Sequence, residues 1–573
     1  MTINKMKTAT FEKVDYEQWK ETATKSLKGK PFEQLITKTI EGIDLHPLYT
    51  EADILKRADG ALAQTIASIR ESKIGTGWIV AQQQYATDGK AFVLELKTSI
   101  ERGNEAIVYD GLKPLEWDAH ALSEIAELMT KYPIFISNTA ENDPFLGVFD
   151  LIPIEERPTI RGTVFAPGWN KPEGYSNLRT NGADTWQVHH KGADAVTELA
   201  LTIAQAAELA AEHEEFGTFA ESFFVRFAVD THFFLEMAKI RAFRVLWKAF
   251  ISAYEEIENA YVPILAETSL RSYSKLDPYV NLLRAGNETF SAVLGGADVV
   301  TVHPHNALTG PTTASIRLAR NVQLVIKEET HVGKVLDPSG GAYFIESLTL
   351  ELAEKAWKLF LDIESAGGYH AYVSSGELEN LLKQRSSTRE NEVAKGSKSL
   401  IGTNAYADLD EIAETDPFGY PMEGRLAEAF ENSRSHFANS QPKTVLLTFG
   451  VLKDFKPRAD FVTGFLATGG IRSEWSPTFT NAADAVEWLA DQTPDYAIVC
   501  ASPDVAKEVI EELIKGLPNN MTLDLAGIYE ETLSKQWLDA GLSGFIFNGQ
   551  DKIQKFKDIK NKVENKWKGV EKL

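Results

Sequence analysis

The sequence contains eleven histidines and one cysteine, the side chains best suited to metal binding or to proton transfer near neutral pH. His303 and His305, in VTVHPH, share one strand face only if Pro304 leaves the strand regular. Zinc needs further ligands nearby and the sequence offers none, so we predict no metal site and interpret both as loop or core histidines. Cys500 ends the apolar run YAIVC and is expected to be a buried thiol rather than a nucleophile.

His189 and His190 are adjacent, at the end of a segment, residues 185–189, that we interpret as a strand. Successive side chains of a strand point to opposite faces. We therefore expect at most one of the two histidines to take part in any site.

The stretch TVLLTFGVLKDFKPRA, residues 444–459, opens the last part of the chain. It predicts a buried strand over 444–450, then a loop, then a helix from about Arg458. In an open parallel sheet, ligands bind at the loop after the first strand. This loop contains no histidine, and none occurs after His436. It therefore offers no imidazole to a metal.

The elements that must position these residues alternate between short apolar runs and longer helical ones from about residue 75 to 375. Alternation of this kind indicates parallel strands with crossover helices, and about eight repeats predict a TIM (β/α)₈ barrel. Helices are predicted over 193–212 and 233–256. The predicted strands are 78–84, 106–109, 134–137, 159–165, 185–189, 223–229, 298–303 and 334–337.

The last part of the chain has a cleaner pattern, which predicts a five-stranded doubly wound sheet of flavodoxin-like type. The predicted strands are 444–450, 471–475, 496–502, 522–528 and 544–549, and the helices are 458–468, 481–491, 504–516 and 530–540. A basic amphipathic helix over 551–573 is expected to pack on this domain. The predicted domains are an N-terminal arm (1–55), the barrel (56–375), a helical connector (376–440) and the flavodoxin-like domain (441–573).

Composition narrows the classes of function. The 573 residues are too many for one core, and the net charge of −23 argues against binding to nucleic acid. We see no signal peptide and no apolar run long enough to span a membrane, and a single cysteine fits a reducing compartment. The sequence therefore predicts a cytoplasmic protein.

Six strings resemble the adenosylcobalamin-dependent acyl-CoA mutases, above all methylmalonyl-CoA mutase, and they occur in the family's order over most of the chain. The strings are EGIDLHPLYTEAD (41–53), FFLEMAKIRAFRVLW (233–247), DPYVNLLR (277–284), LARNVQLVIKEE (318–329), DPSGGAYFIESLT (337–349) and IGTNAY (401–406). The resemblance implies a barrel threaded by CoA, followed by a cobalamin-binding flavodoxin-like domain, which agrees with the predicted layout. We expect the shared strings to preserve packing more often than chemistry.

The family's cobalt-binding motif is absent. Catalytic members carry Asp-x-His-x-x-Gly after the first strand of the last domain, where the histidine binds cobalt and the aspartate orients it. Aligned on Gly450, this sequence has Leu452 at the Asp position and Asp454 at the His position. The family's small-residue loop after the third strand falls near Ala501-Ser502-Pro503, and its Gly-Gly falls at Ala526-Gly527, where an added Cβ replaces one glycine. We therefore predict no cofactor-binding residue on this chain.

The predicted barrel also lacks residues that the family uses for catalysis. Aligned on Gly192, the family's catalytic histidine position is Gln187, which cannot titrate near neutral pH. Tyr85, in QYAT, resembles the family's radical-site tyrosine, but Thr87 replaces the following glycine and packing is the simpler role. We therefore predict no catalytic residue on this chain.

These departures imply the non-catalytic small subunit of a heterodimeric methylmalonyl-CoA mutase. A homologous large subunit is expected to carry adenosylcobalamin, to bind the acyl-CoA and to interconvert (R)-methylmalonyl-CoA and succinyl-CoA. Two alternatives stay open: a stand-alone acyl-CoA mutase with unusual cobalamin binding, and a relict CoA-binding or regulatory protein.

Overall fold

The computed structural model describes residues 7, 9, 14–58, 62–254, 261–411, 419–518 and 521–570. The first residues, the end of the predicted helix over 233–256, a part of the connector and the last residues of the predicted tail helix lie outside the described residues. A mixed α/β fold with parallel strands, as the sequence predicts, is confirmed.

The N-terminal arm consists of short elements that lie along the rest of the chain. Asp15 caps helix α1: its carboxylate accepts from the Gln18 amide at 2.8 Å, while the Gln18 side chain accepts from the Asp15 amide at 3.3 Å. The arm is fixed by Arg385, which donates to the Ile40 carbonyl at 2.5 Å. Its elements are α1 (Tyr16–Ser26), β1 (Thr37–Lys38), β2 (Asp44–Leu45), α2 (Glu51–Ala58) and α3 (Leu62–Glu71), with β1 and β2 antiparallel.

Two parallel sheets, here called the central sheets, follow the arm. Their strands are β3 (Ile79–Ala81), β4 (Ile107–Asp110), β5 (Ile134–Ser137), β6 (Gly162–Val164), β7 (Leu178–Arg179), β8 (Asn181–Asp184), β9 (Phe223–Val229), β10 (Ile264–Thr268) and β11 (Val299–Thr301). The strand orders are β3-β11-β10-β9-β8 and β4-β5-β6-β7. A bridge between Gln83 and Val108 links the two sheets at one side, and only Thr180 separates β7 from β8 at the other.

Helices cover the central sheets from outside, and α12 packs against both α7 and α9. Helix α9 is buried almost throughout, since it lies between the sheet and other helices. The helices are α4 (Gly89–Ile100), α5 (Ala119–Met129), α6 (Trp186–His190), α7 (Ala195–Ala211), α8 (Phe216–Ser222), α9 (Phe233–Ile251), α10 (Pro278–Gly295), α11 (Thr313–Glu329) and α12 (Tyr343–Ser365). None of the helices in the described part of the chain is long and apolar enough to cross a membrane.

Two predicted strands of this region are wrong. Residues 185–189 fall almost wholly in helix α6, so His189 and His190 follow one another on a helical turn instead of facing opposite sides of a strand. The segment 334–337 contains no strand, because a short 3₁₀ turn, Val332–Lys334, runs into a loop there. In their place the structure has β8, just before α6, and β10, neither of which the sequence pattern indicated.

A helical connector joins the central sheets to the C-terminal part. Its described helices are α13 (Tyr369–Ser374), α14 (Glu377–Lys395) and α15 (Glu428–Ser440). The charged stretch predicted to lie on a surface is helical to Lys395, but it is not wholly exposed. Arg389 is buried and donates to the carbonyls of Gly192 and Ala193 at 2.5 and 3.0 Å.

The C-terminal sheet has five parallel strands in the order β13-β12-β14-β15-β16. The strands are β12 (Thr444–Phe449), β13 (Glu474–Phe479), β14 (Tyr496–Cys500), β15 (Thr522–Ala526) and β16 (Gly544–Ile546). The helices are α16 (Leu452–Gly469), α17 (Ala482–Gln492), α18 (Pro503–Gly516), α19 (Glu531–Ala540) and α20 (Lys552–Val570). Two predicted boundaries are wrong: β13 lies later than 471–475, and α16 begins at Leu452 rather than near Arg458.

Candidate functional site

Charged and polar side chains gather at the carboxyl ends of the central strands, which is where parallel strands of this kind usually place functional residues. Asp110 and Asp184 end β4 and β8, and Glu267 lies next to the end of β10. Asn138 follows β5 directly, and His303 follows β11 by two residues. This edge is therefore the first candidate for a site.

Arg226 of β9 is the centre of the cluster. Its Nη1 donates to Asp184 Oδ2 at 2.8 Å, and its Nη2 donates to Glu267 Oε2 at 2.7 Å. The guanidinium also lies 5.0 Å from the centre of the Trp186 ring. The positive charge of Arg226 is thus neutralised by carboxylates inside the protein, and the side chain is only 3% exposed. Arg226 is a structural ion-pair partner and not a free ligand-binding cation.

Glu267 connects Arg226 to a histidine and a tyrosine. His303 Nε2 donates to Glu267 Oε1 at 2.7 Å, so the opposite nitrogen, Nδ1, accepts from the Tyr85 hydroxyl at 2.7 Å. Burial raises the pKa of Tyr85 well above its usual value. Tyr85 therefore has a definite hydrogen-bonding role in addition to the packing that the sequence indicated.

Glu267 should make the free energy of unfolding depend on pH. Burial alone would raise its pKa, but Arg226 and His303 lower the pKa from 4.5 to about 2. The folded state thus favours the ionised carboxylate, and this contribution is complete above pH 4.5 and is lost as the pH falls towards about 2. A shift of that size corresponds to about 3 kcal/mol.

Urea unfolding at pH 6 and at pH 3.5 measures the pH-dependent contribution of the Glu267 carboxylate to stability. The wild-type chain should lose stability over this interval, and Glu267→Gln should lose about 1–2 kcal/mol less. The control is Glu487→Gln, which changes an exposed carboxylate of α17. Equal losses in wild type and Glu267→Gln would contradict the assignment.

One cavity between the central sheets has a volume of about 20 Å³ and is lined by Phe135, Phe165, Phe224 and the Arg226–Glu267 pair, among other residues. A Cβ added to Gly182 would come within 2.5 Å of the Phe224 ring, so even an alanine does not fit there without movement. Organic ligands need cavities more than ten times larger, roughly 300 Å³ and above.

Tyr420 of the connector closes the carboxyl end of the central sheets. Its hydroxyl donates to Asp110, and its amide donates to the Ala307 carbonyl at 2.7 Å. Its ring lies 5.1 Å from the His303 ring and 6.0 Å from the Trp186 ring. A segment more than a hundred residues downstream of the last central strand thus covers the cluster, and the tyrosine itself is buried.

Gln187 is exposed on helix α6, outside this closed cluster. Its side-chain amide donates to Asn138 Oδ1 at 3.1 Å, and Asn138 in turn donates to Asp110 Oδ1 at 2.9 Å. Gln187 lines an open cavity of about 560 Å³ beside Met422. A polar side chain is therefore available here, and Lys191 and Glu423 line the same cavity.

His189 and His190 are both buried and fully engaged. His189 Nδ1 donates to Glu198 at 2.7 Å, and its Nε2 accepts from the Ser269 hydroxyl at 2.8 Å. His190 Nδ1 donates to the Trp186 carbonyl at 2.8 Å. Burial lowers the pKa of both imidazoles well below the usual value.

Ser269, His189 and Glu198 have the hydrogen-bond order of a hydrolase triad, which sequence reasoning missed because Ser269 lies 80 residues from His189. Their exposures are 0%, 0% and 1%, so no substrate can reach the serine. The sequence carried no signal for this arrangement, since no local spacing connects the three. We assign it to packing.

The carboxyl edge of the C-terminal sheet is the second candidate. Only Gly450 and Val451 separate β12 from α16, and Gly450 has a φ of +86°, a conformation that glycine adopts without strain. Asp454 lies in the first turn of α16, where its carboxylate accepts from the Val451 amide at 3.4 Å. Leu452, the first residue of the helix, is 60% exposed.

An open cavity of about 570 Å³ lies at this edge, and several of its lining side chains are engaged in contacts within the chain. Arg458 donates to the Ala501 carbonyl at 2.6 Å, and Ser502 caps α18 by accepting from the Val505 amide at 3.4 Å. Gly527 retains a positive φ of +123°, and a Cβ there would meet Tyr529 at 3.3 Å. The residues present are thus used in capping and packing, and Asp454 and Gln187 line separate cavities.

The remaining residues with potential chemistry are placed inside the protein. Cys500 is buried in β14, and burial raises the pKa of its thiol to about 12, so it is not a nucleophile at neutral pH. His305 stacks on Tyr279 with 4.9 Å between the rings. Among the described residues, no three histidine, cysteine or acidic side chains lie close enough to hold a metal ion.

Comparison with known proteins gives these observations a family context. A family model for methylmalonyl-CoA mutase matches residues 173–448. A methylmalonyl-CoA mutase small subunit from Porphyromonas gingivalis is 27% identical over 552 residues, which cover 86% of this chain and 88% of that protein. The chain is a relative of the methylmalonyl-CoA mutases. The resemblance that the sequence motifs indicated is confirmed.

Two other relatives of the methylmalonyl-CoA mutase family extend the match over nearly the whole chain. The methylmalonyl-CoA mutase small subunit of Streptomyces virginiae is 28% identical over 604 aligned positions, covering 95% of this chain and 96% of that protein. The one from Propionibacterium freudenreichii subsp. shermanii is 28% identical over 578 positions, covering 91% and 90%. The family model itself ends at Thr448, before Leu452 and Asp454.

The motifs shared with methylmalonyl-CoA mutases hold the helices together. Arg241, from FFLEMAKIRAFRVLW, pairs with Glu346 at 2.6 Å and with Asp337, both from DPSGGAYFIESLT. Arg284, from DPYVNLLR, donates to the Ile401 carbonyl of IGTNAY at 2.9 Å. These strings therefore make buried polar contacts between distant segments.

Proposed function

We propose that this chain is the non-catalytic small subunit of a heterodimeric methylmalonyl-CoA mutase. In this proposal a homologous large subunit carries adenosylcobalamin, binds the acyl-CoA and interconverts (R)-methylmalonyl-CoA and succinyl-CoA in the cytoplasm. The observation that carries the proposal is the construction of the β12–α16 junction, where a cobalt ligand would be needed.

The residues at that junction do not fit cobalamin. Leu452 and Asp454 occupy the positions of the family's Asp and His, and a carboxylate is a poor ligand for a soft cobalt centre. The helix begins at once after Gly450 and Val451, so the chain has no long loop there to carry a ligand outward. Asp454 also serves the helix N-terminus, where a negative charge is favourable.

The central sheets support the same reading. We infer that they form the family's (β/α)₈ barrel and that the C-terminal sheet is its flavodoxin-like domain, with domain boundaries near residues 55, 375 and 440. CoA threaded along such a barrel would need the space that Phe135, Phe224 and the Arg226–Glu267 pair occupy. Tyr420 stands at the end of the barrel that would face the cofactor.

The test uses three samples: this chain alone, the large subunit alone, and an equimolar mixture. We expect one-to-one co-elution in gel filtration and mutase activity in the mixture that exceeds the activity of either separate chain by at least about tenfold. Equilibrium dialysis of the isolated chain against hydroxocobalamin, followed by its absorbance, should show no retained corrinoid.

The outcomes separate the alternatives. Activity of this chain alone, together with retained corrinoid, would establish a stand-alone mutase. Absence of a complex with the large subunit would contradict the subunit proposal and leave a relict or regulatory protein. Activity that requires both chains supports the proposal.

A further inference from the structure

Three arginines lie together where helix α11 packs against the turn that follows α4. Arg317 and Arg320 are three residues apart in α11, so they share one face of that helix. Leu324, one further turn along, contacts the turn after α4, since a Cβ added to Gly103 would lie 3.1 Å from the Leu324 side chain. Arg102 is the residue before Gly103, which brings it to the same face. These three arginines are here called the arginine cluster.

Arg320 is the buried member of the arginine cluster. Only 4% of its surface is exposed, and its Nε is enclosed without a hydrogen-bond partner. Within the described ranges, its two terminal nitrogens form no hydrogen bond or ion pair, and because they are not enclosed as Nε is, they are the part of the guanidinium that reaches the surface. Arg241 and Arg284, which belong to other shared strings and are also buried, both have such partners. A buried guanidinium with unused donors indicates a missing acceptor.

The positive charge of the arginine cluster is not balanced by the rest of the chain. Burial lowers the pKa of Arg320, and the charges of Arg102 and Arg317 lower it further, with no carboxylate of the described segments acting in the opposite direction. Arg102 and Arg317 are exposed, and neither forms an ion pair in the part of the chain that the structure describes. Glu105, an acidic residue of the same region, is bound by Lys327 at 2.6 Å. Three positive charges therefore stand together on a chain whose net charge is −23.

We propose that the arginine cluster binds the phosphate group of a small molecule. Guanidinium groups bind phosphate oxygens through paired N–H donors, and arginine is suited to this geometry. A phosphate group carries about two negative charges near neutral pH, so it offsets most of the charge of three arginines, whereas a single carboxylate does not. One enclosed arginine and two at the surface suit a group that enters from solvent and leaves the rest of its molecule outside. The site is separate from both candidate sites described above, and it does not depend on a large subunit.

Calorimetric titration of the full-length chain with inorganic phosphate and with ADP tests the proposal and separates free phosphate from a phosphate ester. We expect at least one of the two to bind with a Kd of about 1 mM or lower at 50 mM NaCl, and more weakly at 300 mM NaCl. Arg317→Gln should raise that Kd about tenfold, and Arg320→Met should raise it at least as much. Arg161→Gln, which changes an exposed arginine just before β6, is the matched control and should leave the Kd unchanged.

A second measurement is needed because Arg320 is buried and its replacement also changes packing. Phosphate at about 10 mM should raise the Tm of the wild-type chain and of Arg161→Gln by more than that of Arg317→Gln, whose side chain is exposed. Modification of arginines by phenylglyoxal, followed by mass spectrometry of peptides, locates the site. Phosphate should slow the modification of Arg102 and Arg317 and leave that of Arg161 unchanged.

The outcomes separate a phosphate site from a contact with another protein. Absence of binding by both ligands up to about 10 mM, or an equal Kd in the wild-type chain and Arg317→Gln, would overturn the proposal. If Arg317→Gln instead leaves phosphate binding unchanged and weakens association with the large subunit, the cluster binds a carboxylate of that partner and the proposal is wrong. None of these results decides whether the two chains form a complex, which co-elution tests separately.

Discussion

Replacing Arg226 by methionine should lower the free energy of unfolding by about 3–5 kcal/mol, because it leaves Asp184 and Glu267 ionised and buried without their cation. Methionine fills much of the same volume, so the loss reports the charge and not a cavity. Urea unfolding followed by circular dichroism measures the total effect. Hydrogen exchange of peptides that contain β9 and β10 locates it in the central sheets.

Two variants control this result. Arg472 also forms an ion pair, with Asp410, but its side chain is 61% exposed, so Arg472→Met should cost at most about 1 kcal/mol. Adding Asp184→Asn and Glu267→Gln to Arg226→Met removes the stranded charges and should restore part of the lost stability. A loss below about 1 kcal/mol in Arg226→Met alone would contradict the conclusion that the ion pairs of Arg226 with Asp184 and Glu267 stabilise the interior.

The second large effect is expected at Lys555 in the last helix. Its ammonium pairs with Asp524 of β15, which also accepts from the Tyr496 hydroxyl, and both charged residues are buried. Gly544 lies beside them, and a Cβ there would lie 3.0 Å from the ammonium nitrogen. Lys555→Met should destabilise the C-terminal sheet by about 3–5 kcal/mol, because the aspartate stays buried without a cation.

Limited proteolysis and urea unfolding check the Lys555 prediction. The variant should be cleaved faster within α20 and β16 than the wild type, while peptides from the central sheets keep their hydrogen-exchange protection. Lys557→Met, an exposed neighbour on the same helix, is the matched control and should behave as wild type. Adding Asp524→Asn should recover part of the loss, and failure to do so would argue that packing of the lysine stem dominates.

The C-terminal sheet was the most predictable part of the fold. Four of its five strands begin at the predicted residue and end one to three residues early, because each is an apolar run between turns. The start of α16 was missed. Gly450 turns the chain and Asp454 caps the helix, so the helix begins before Pro457 and tolerates one missing hydrogen bond.

The central strands were harder to predict, for a reason that residues 185–189 and β10 illustrate. The order Thr-Trp-Gln-Val-His alternates like a strand, but the turn of α6 is fixed by contacts such as the His189 amide to the Thr185 carbonyl at 2.9 Å. Strand β10 carries Glu267, a charge that looks like surface until Arg226 neutralises it from 41 residues away. Local periodicity cannot show a partner at that distance.

The sequence predicts absences at the candidate site, and that prediction stays a prediction; the contacts found around the ends of the central strands join residues that local spacing does not connect. Gln187 and Asp454 both lie near the carboxyl ends of strands, as the sequence predicts. The hydrogen bond from Tyr420 to Asp110, however, joins residues 310 positions apart in the sequence. Ser269 and His189 are likewise far apart in the chain. Such pairings depend on the tertiary arrangement, so a single sequence gives no indication of them.

Tyr420 has a thermodynamic consequence. When a bound small molecule covers the end of a sheet, the folded state is stabilised by an amount that rises with the logarithm of the ligand concentration. Here the closing group is covalently part of the polypeptide, tied to Asp110 and to the Ala307 carbonyl. Its contribution to the free energy of folding is therefore intramolecular. It is present as soon as the chain folds, does not change on dilution, and does not depend on the concentration of any ligand.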